Sequence, residues 1–337
     1  MATVRVGVLI VGYGHGVTIG ALLETLGPTS GCNQGEVVIW DQPRPEIGHD
    51  PDLPRIVESA RRRWDDTGWS VRVVQSTLNL GYGRGLNAAE SLLSASVTWI
   101  AVLNPDTEIP SGALGFWLQL SQDLAATPGK RVGLTAPVLL NANGRTQRSH
   151  YTFPQFLSYW PNHSILGGAL KQAWKRLPAS RLQPAHRNAS EQHKSRHVGW
   201  AMGAAWLVPR VAWQEIGGFD PDYFLYAEDM DFCWRLQAVG REVLALPGVT
   251  ILHHQGEPAG PQRGRQQILL FQGLRLFLRK TQPALRRSSV LFSIALDMVL
   301  RLFLFTLPGM LPGATGRKAR TRWWASAVTL AQTLAGS

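Results

Sequence analysis

Three carboxylates within four residues, Glu228, Asp229 and Asp231, open an apparent helix in the segment from Gly217 to Arg235. An ionised carboxylate can take a proton from a hydroxyl or hold a metal ion, and the dipole at a helix N-terminus favours the ionised form. Phe232, Leu236 and Val239 share one apolar face of this helix. Asp231 and Arg235 stand four apart and can pair, and Gly240 marks the end. Alone, the cluster is better read as an acidic first turn that suits the dipole. A chemical role requires partners from elsewhere in the chain.

Those partners sit at strand ends. Val4 to Val11 is a continuous apolar run, rich in β-branched residues, that ends on the glycines of Gly12-Tyr13-Gly14-His15-Gly16. Val37 to Trp40 is a second strand and ends on Asp41. Val71 to Val74 is a third, followed by the glycine turn Asn79–Gly85 and a helix expected to run through Ala95. Thr98 to Leu103 is a fourth, ending on Asn104-Pro105-Asp106. Helical patterns at Ile19–Leu26 and Asp52–Trp64 alternate with these strands, which predicts an α/β fold with a mostly parallel sheet flanked by helices. In such sheets ligands bind beyond the carboxyl ends of the strands. The Gly12–Gly14 turn, Asp41, the Asn79–Asn87 turn and Asp106 therefore converge on one edge. Each alone is weak, since Asp106 could be a turn former and Asp41 a loop cap.

Farther along, Val132 to Leu140 restarts strand character. Residues 158–197 are rich in Arg, Lys, His, Gln and Pro and read as a long basic excursion. Asn162 and Asn188 match the glycosylation pattern by chance on this reading. Regular structure resumes at Val198-Gly199-Trp200. Val243–Leu246 and Thr250–Leu252 are two short strands that lead into His253-His254.

Composition narrows the class. A chain of 337 residues with 45% hydrophobic content can bury a full core. Its two cysteines, Cys32 and Cys233, supply neither a disulfide framework nor a metal spacing and are expected in the core. No signal peptide is expected before the first strand. The net charge of +11 calls for an anionic partner. Much of that excess lies after Gln262, where Asp297 is the lone acid. A nucleic-acid partner is not expected, because these basic residues cluster in an apolar tail without a recognition signature. Leu291 to Leu311 approaches the length of a membrane span. Asp297, Arg301 and the Pro308-Gly309 break favour an amphipathic element lying at an anionic membrane surface instead.

Two chemistries suit the strand-end cluster. Gly12, Gly14 and Gly16 with Asp41 resemble a dinucleotide-binding turn, but the third glycine of that fingerprint would stand at position 17, which is Val17. Alternatively, a sugar nucleotide carries a diphosphate that must leave. A strand-end Asp can hold Mg²⁺ or Mn²⁺ against it, while a second acid acts as general base on the acceptor hydroxyl.

The ordered segments Val8–Tyr13, Val38–Asp41, Asn79–Asn87, Leu103–Thr107, Val198–Ala204, Gly217–Asp220, Phe224–Asp231 and Leu252–His254 favour the second. Together they resemble the family 2 inverting glycosyltransferases of the GT-A type, in particular the bacterial rhamnosyltransferase branch, over roughly residues 4 to 256. The resemblance implies a GT-A, Rossmann-like catalytic domain over 1–261 and a basic, apolar helical region over 262–337 that associates with the membrane. It assigns Asp229 as catalytic base with Glu228 beside it, Asp41 as reader of the nucleobase and Tyr13 as wall of the base pocket. It places Gly81, Arg84, Asn87 and Asn104 on the nucleotide sugar and Asp106 on the metal and diphosphate. His253 is a metal or diphosphate ligand, and Trp200 and Gly203 shape the acceptor side. Asp231 is structural through Arg235.

The resemblance further implies dTDP-rhamnose as donor, with UDP-linked sugars as the other option, and a polyprenyl-diphosphate-linked glycan or polysaccharide as acceptor in cell-wall or O-antigen-type synthesis. The enzyme would be cytoplasmic, peripheral to the inner face of the membrane. The chain departs from the family where Thr-Tyr-Asn is usual and Gly12-Tyr13-Gly14 stands, and where Asp-Asn-x-Ser is usual and Asp41-Gln42-Pro43-Arg44 stands. The serine common after the family's His-x-x-Gly segment is also missing after Gly256. The first two departures border the nucleotide pocket. Two other readings remain: a nicotinamide-dependent oxidoreductase, and a non-catalytic sugar-nucleotide-binding or membrane-scaffold protein.

Overall fold

A computed structural model describes residues 5–45, 48–154, 195–254, 261–310 and 313–334. Most of the expected basic excursion, with both glycosylation-like triplets, lies outside the described residues. The chain divides into two compact units. One comprises Met1–Thr152, Asn188–Phe224 and Glu228–Gln255, and the other Phe153–Arg187, Leu225–Ala227 and Gly256–Ser337.

The first unit is built on one mixed sheet. Strands β1 (Arg5–Gly12), β2 (Gly35–Asp41), β3 (Trp69–Gln75) and β4 (Val97–Leu103) form its parallel half in the order β3-β2-β1-β4. The apolar runs of β1, β2 and β4 are buried on both faces, and Val8, Leu9, Ile10, Val38 and Ile39 have no exposed surface, whereas β3 at the sheet edge exposes Ser70 and Arg72. Helices α1 (Gly16–Thr25), α2 (Leu53–Arg63) and α3 (Tyr82–Glu90) connect these strands. The glycine-led α3 stops at Glu90, short of the expected Ala95, because residues 91–96 turn toward β4.

The sheet continues through β5 (Thr107–Glu108), β6 (Val132–Leu140), β10 (Ala205–Pro209) and β11 (Glu242–His253), with α4 (Ala113–Ala126) after β5. Strand β10 runs antiparallel between β4 and β6, so β6 and β11 point the same way as β1–β4. The carboxyl end of β11 is thereby returned to the edge where β1, β2 and β4 also end. The two short strands expected near residues 243–252 are one strand, with a register shift between Leu246 and Thr250. Short pieces β7 (His150–Tyr151), β8 (Arg196–His197) and β9 (Trp200–Ala201) complete the pairing: β7 pairs β9, and β8 pairs β11.

Helix α5 (Arg210–Ile216) leads to α6 (Glu228–Ala238), close to the expected span. Trp206, Trp213 and Phe219 surround Phe232 at centroid distances of 5.4, 5.2 and 4.7 Å and anchor α6 to the sheet. Gly240, at φ 75°, ends the element as expected. Cys32 and Cys233 are free and buried, and burial raises both thiols above their ordinary pKa.

The second unit contains α7 (Pro261–Thr281), α8 (Ala284–Met310) and α9 (Gly313–Leu334). Within α8, Arg287–Thr306 is long and apolar enough to cross a membrane by length and composition. Val290, Ile294, Asp297 and Met298 are buried, whereas Phe292, Leu296, Val299 and Phe303 form an exposed apolar stripe at helical spacing. Asp297 is not a free charge on this helix, since Arg301 Nε donates to its Oδ2 at 2.6 Å.

Candidate active site

Backbone register assembles one side of the site. Leu252 and His253 pair with Glu108 and Thr107, and the His254 N–H donates to the Asp106 carbonyl at 2.9 Å. This brings His253 Nε2 to 3.4 Å from Asp106 Oδ1 and 3.4 Å from Asn104 Nδ2. His253 is buried and Asp106 half-buried. Burial opposes the Asp106 charge, but the facing His253 ring outweighs it and holds the carboxyl below its usual range. A carboxylate oxygen and an imidazole nitrogen facing each other suit Mg²⁺ or Mn²⁺, with the remaining positions left for diphosphate oxygens and water. Among the described residues no cluster of three His, Cys, Asp or Glu side chains could hold a metal alone.

The other side is the start of α6. The Met230 N–H donates to Asp229 Oδ1 at 2.8 Å and the Gly203 N–H to Asp229 Oδ2 at 3.3 Å. Burial raises the Asp229 carboxyl to about 6. Glu228 is more deeply buried, and its Oε2 has no hydrogen-bond partner among the described residues. Burial and the neighbouring Asp229 charge push it to about 8. Like charges so close oppose each other, so the pair gives up its second proton less readily than its first. Tyr226 and Ala227, which precede the pair, adopt φ of 72° and 66°. Left-handed backbone at two non-glycine residues costs roughly 1–3 kcal/mol each and is concentrated at functional sites. Asp231 is structural as expected: Arg235 Nε donates to it at 2.7 Å, and the Tyr223 hydroxyl approaches it at 3.3 Å.

Tyr82, absent from the expected site residues, joins the two sides. Its hydroxyl lies 2.9 Å from Asn104 Oδ1 and 2.7 Å from the Gly203 carbonyl. Burial, with Glu228, Asp229 and Asp106 facing it, raises the phenol well above its ordinary pKa and keeps it a donor. A path of hydrogen bonds thus runs from His253 through Asn104, Tyr82 and Gly203 to Asp229.

The expected nucleotide residues divide into two groups. Asp41, fully buried, accepts from or shares a proton with His49 Nδ1 at 2.8 Å, and burial raises its carboxyl pKa despite that contact. Tyr13 lies at the end of β1, its ring 5.9 Å from the Arg44 guanidinium carbon. A Cβ at Gly12 would stand 3.0 Å from Asp41 Oδ1, so the glycine leaves space over that carboxylate. Gln42 ties Asp41 to the glycine turn, accepting from the Leu80 N–H at 2.7 Å and donating to the Gly81 carbonyl at 3.2 Å. Gly81 adopts φ 85° and packs against the Phe224 carbonyl. By contrast, Arg84 Nε donates to the Pro221 carbonyl, and the Asn87 amide pairs with both backbone groups of Phe219. These bonds tie α3 to the turn before α6.

On the acceptor side, Trp200 stacks on Tyr151 at 4.3 Å, and its indole N–H reaches the Thr152 carbonyl at 3.2 Å. Gly203 lies between Tyr82 and Asp229. The nicotinamide reading expects an open N-terminus on the first helix for a pyrophosphate. In α1 the Gly16 N–H already donates to the Asp50 carboxylate at 2.8 Å, which opposes that reading.

Comparison with known proteins agrees with the fold. A family model described as "Glycosyl transferase family group 2" matches residues 169–335, spanning the acidic pair and His253. The N-acetylglucosaminyl-diphospho-decaprenol L-rhamnosyltransferase of Mycobacterium tuberculosis is 27% identical over 241 residues, 69% of this chain and 74% of that protein. Among solved structures, the mannosyltransferase PcManGT from Pyrobaculum calidifontis, in complex with GDP-Man and Mn²⁺, matches with a TM-score of 0.53 at 15% identity. That match covers 99% of this chain and 76% of the other. GalNAc-T7 with UDP, GalNAc and Mn²⁺ matches with a TM-score of 0.50 at 13% identity, over 96% of this chain and 55% of that one. The chain has the GT-A glycosyltransferase fold, and its role is glycosyl transfer. Within that class it is similar to the family 2 enzymes and to bacterial rhamnosyltransferases.

Proposed function

We propose that this chain is a metal-dependent inverting glycosyltransferase that moves rhamnose from dTDP-rhamnose to a polyprenyl-diphosphate-linked glycan at the inner face of the cell membrane. The observation that carries the reading is the hydrogen-bonded path from the Asp106–His253 pair to Asp229, two sites of opposite task held in one frame. Asp229 is the base. Its raised pKa of about 6 leaves it ionised at neutral pH yet closer in proton affinity to its task than an ordinary Asp. Two backbone N–H groups fix its orientation, and burial together with the Asp229 charge disfavours ionisation of Glu228 beside it. Asp106 and His253 would hold the divalent cation, which when bound neutralises the charge developing on the departing nucleoside diphosphate.

On this reading Asp41, held by His49, reads the base beside Tyr13. The stacked Tyr151–Trp200 pair offers an aromatic wall to the acceptor. The rhamnosyl donor and lipid-linked acceptor draw support from the relative's name and the quoted motifs. The membrane-surface assignment draws support from the exposed stripe Phe292, Leu296, Val299 and Phe303 and from the basic residues that flank it. A panel of sugar nucleotides, scored by nucleoside diphosphate release with and without Mn²⁺ in the presence of lipid-linked acceptors, tests the proposal. Metal-stimulated release from dTDP-rhamnose supports it, and release from no donor refutes it.

A further inference from the structure

We propose that Gln147 is a positioning residue that sets the tautomer of His253, presenting a bare Nε2 to a divalent cation shared with Asp106. The proposal rests on the transferase reading of that pair and concerns a residue to which neither the sequence motifs nor the comparisons assign a role.

Register places Gln147 where it stands. After β6 the chain turns back through Gly144, at φ 70°, with the Asn141 N–H bonded to the Arg145 carbonyl at 2.9 Å and Leu140 bridged to Thr146. The Gln147 N–H then donates to the Leu139 carbonyl at 2.8 Å. Because Leu139 and Leu140 pair with Ile251 and Leu252, this return strand ends beside His253.

The side chain makes two bonds to one residue. Gln147 Nε2 lies 2.6 Å from the His253 backbone carbonyl, and Gln147 Oε1 lies 2.9 Å from His253 Nδ1. A carbonyl oxygen can only accept, so the amide nitrogen must face it. The amide oxygen is thereby turned to the ring, and an oxygen there requires a proton on Nδ1. In the neutral ring Nε2 is then the acceptor. It points at Asp106 Oδ1 across 3.4 Å, wider than the roughly 2.7–2.9 Å of a charge-assisted hydrogen bond. Metal-bound histidines commonly donate their second ring N–H to such a partner, whose loss weakens metal binding about 10–100-fold. Gln147 is a neutral amide in that place.

The test uses the full chain labelled with ¹⁵N-histidine. In the metal-free protein, two-dimensional NMR of the imidazole nitrogens is expected to show His253 as the Nδ1–H form, with its signals assigned by their loss in His253→Ala. Gln147→Leu should shift it toward the Nε2–H form and weaken Mn²⁺ binding, read from the free-Mn²⁺ signal in electron paramagnetic resonance, by about 10–100-fold. Gln147→Glu, which keeps an acceptor for Nδ1–H, should bind Mn²⁺ more tightly than Gln147→Leu. An Nε2–H tautomer in the wild type, no Mn²⁺ binding by the wild type, or Mn²⁺ affinity of Gln147→Leu within twofold of wild type would overturn the proposal. If Gln147→Leu does not fold, the wild-type tautomer and wild-type Mn²⁺ binding decide. None of these readouts needs a donor or acceptor, so a chain that transfers no sugar fails the functional reading without deciding this one.

Discussion

Removing the Tyr82 hydroxyl tests whether the two halves of the site act as one. In Tyr82→Phe the ring keeps its edge contact with Phe219 at 6.3 Å, while the contacts to Asn104 Oδ1 and the Gly203 carbonyl are lost. One hydroxyl proton serves both acceptors, so the loss corresponds to about one hydrogen bond plus partial desolvation of two oxygens, about 1–3 kcal/mol. In a domain of about 150–250 residues each kcal/mol lowers Tm by about 2–4 °C. The kinetic effect travels through Gly203, whose N–H orients Asp229 at 3.3 Å. A displaced base costs up to about 100-fold in rate for about 1 Å of misplacement. We therefore expect kcat to fall about 10–100-fold with donor KM within threefold of wild type. Nucleoside diphosphate release and a melting curve read the two effects separately. A lowered Tm with kcat within twofold of wild type would show that Tyr82 only packs, and would refute the coupling.

Three further outcomes follow from the same geometry. Because burial raises Asp229 to about 6 and the base works ionised, kcat should fall as pH drops through about 6, tenfold per unit below it; an acid limb near 4 would contradict this. Burial and the Asp229 charge push Glu228 from its ordinary 4.5 up to about 8, so its ionisation opposes folding, and the loss grows as pH rises from 4.5 to about 8. Relative to wild type, Glu228→Gln should gain up to about 1.4 kcal/mol per pH unit across that window and level off above it, measured from urea midpoints at several pH values; a pH-independent difference would contradict it. Gly81→Ala puts a Cβ 2.1 Å from the Phe224 carbonyl at φ 85° and should cost about 1–3 kcal/mol or more, whereas a denaturant midpoint equal to wild type would refute the required close approach.

The parallel half of the fold was legible because β1, β2 and β4 are buried on both faces and its turns are rich in glycine. Asp41 and Asp106 could be placed on one edge from strand ends alone, whereas Asp229, at the start of a helix, joined them only through the family resemblance. Less legible was how residues far apart are joined. Tyr82 meets Gly203 across 121 positions, and Gln147 meets His253 across 106. Both contacts depend on strand β10 running antiparallel and on the β6–β11 register, which periodicity does not report. Neutral side chains also leave no charge pattern to notice. Arg84 and Asn87 stand in a motif associated with the nucleotide sugar. Their described bonds run to Pro221 and Phe219, where they hold the turn that leads into the acidic helix. Gln42 departs from the family pattern, yet it supplies a pair of bonds that shapes the glycine turn.

The central claim is that Asp229 is the base of a glycosyl transfer. Asp229→Asn keeps the side-chain shape and an acceptor oxygen for one of the two N–H groups, Met230 or Gly203, and it removes the proton acceptor. With the best sugar nucleotide and a lipid-linked acceptor, steady-state nucleoside diphosphate release should show kcat reduced by about 10²–10⁴-fold with donor KM little changed. Turnover equal to wild type would contradict the account.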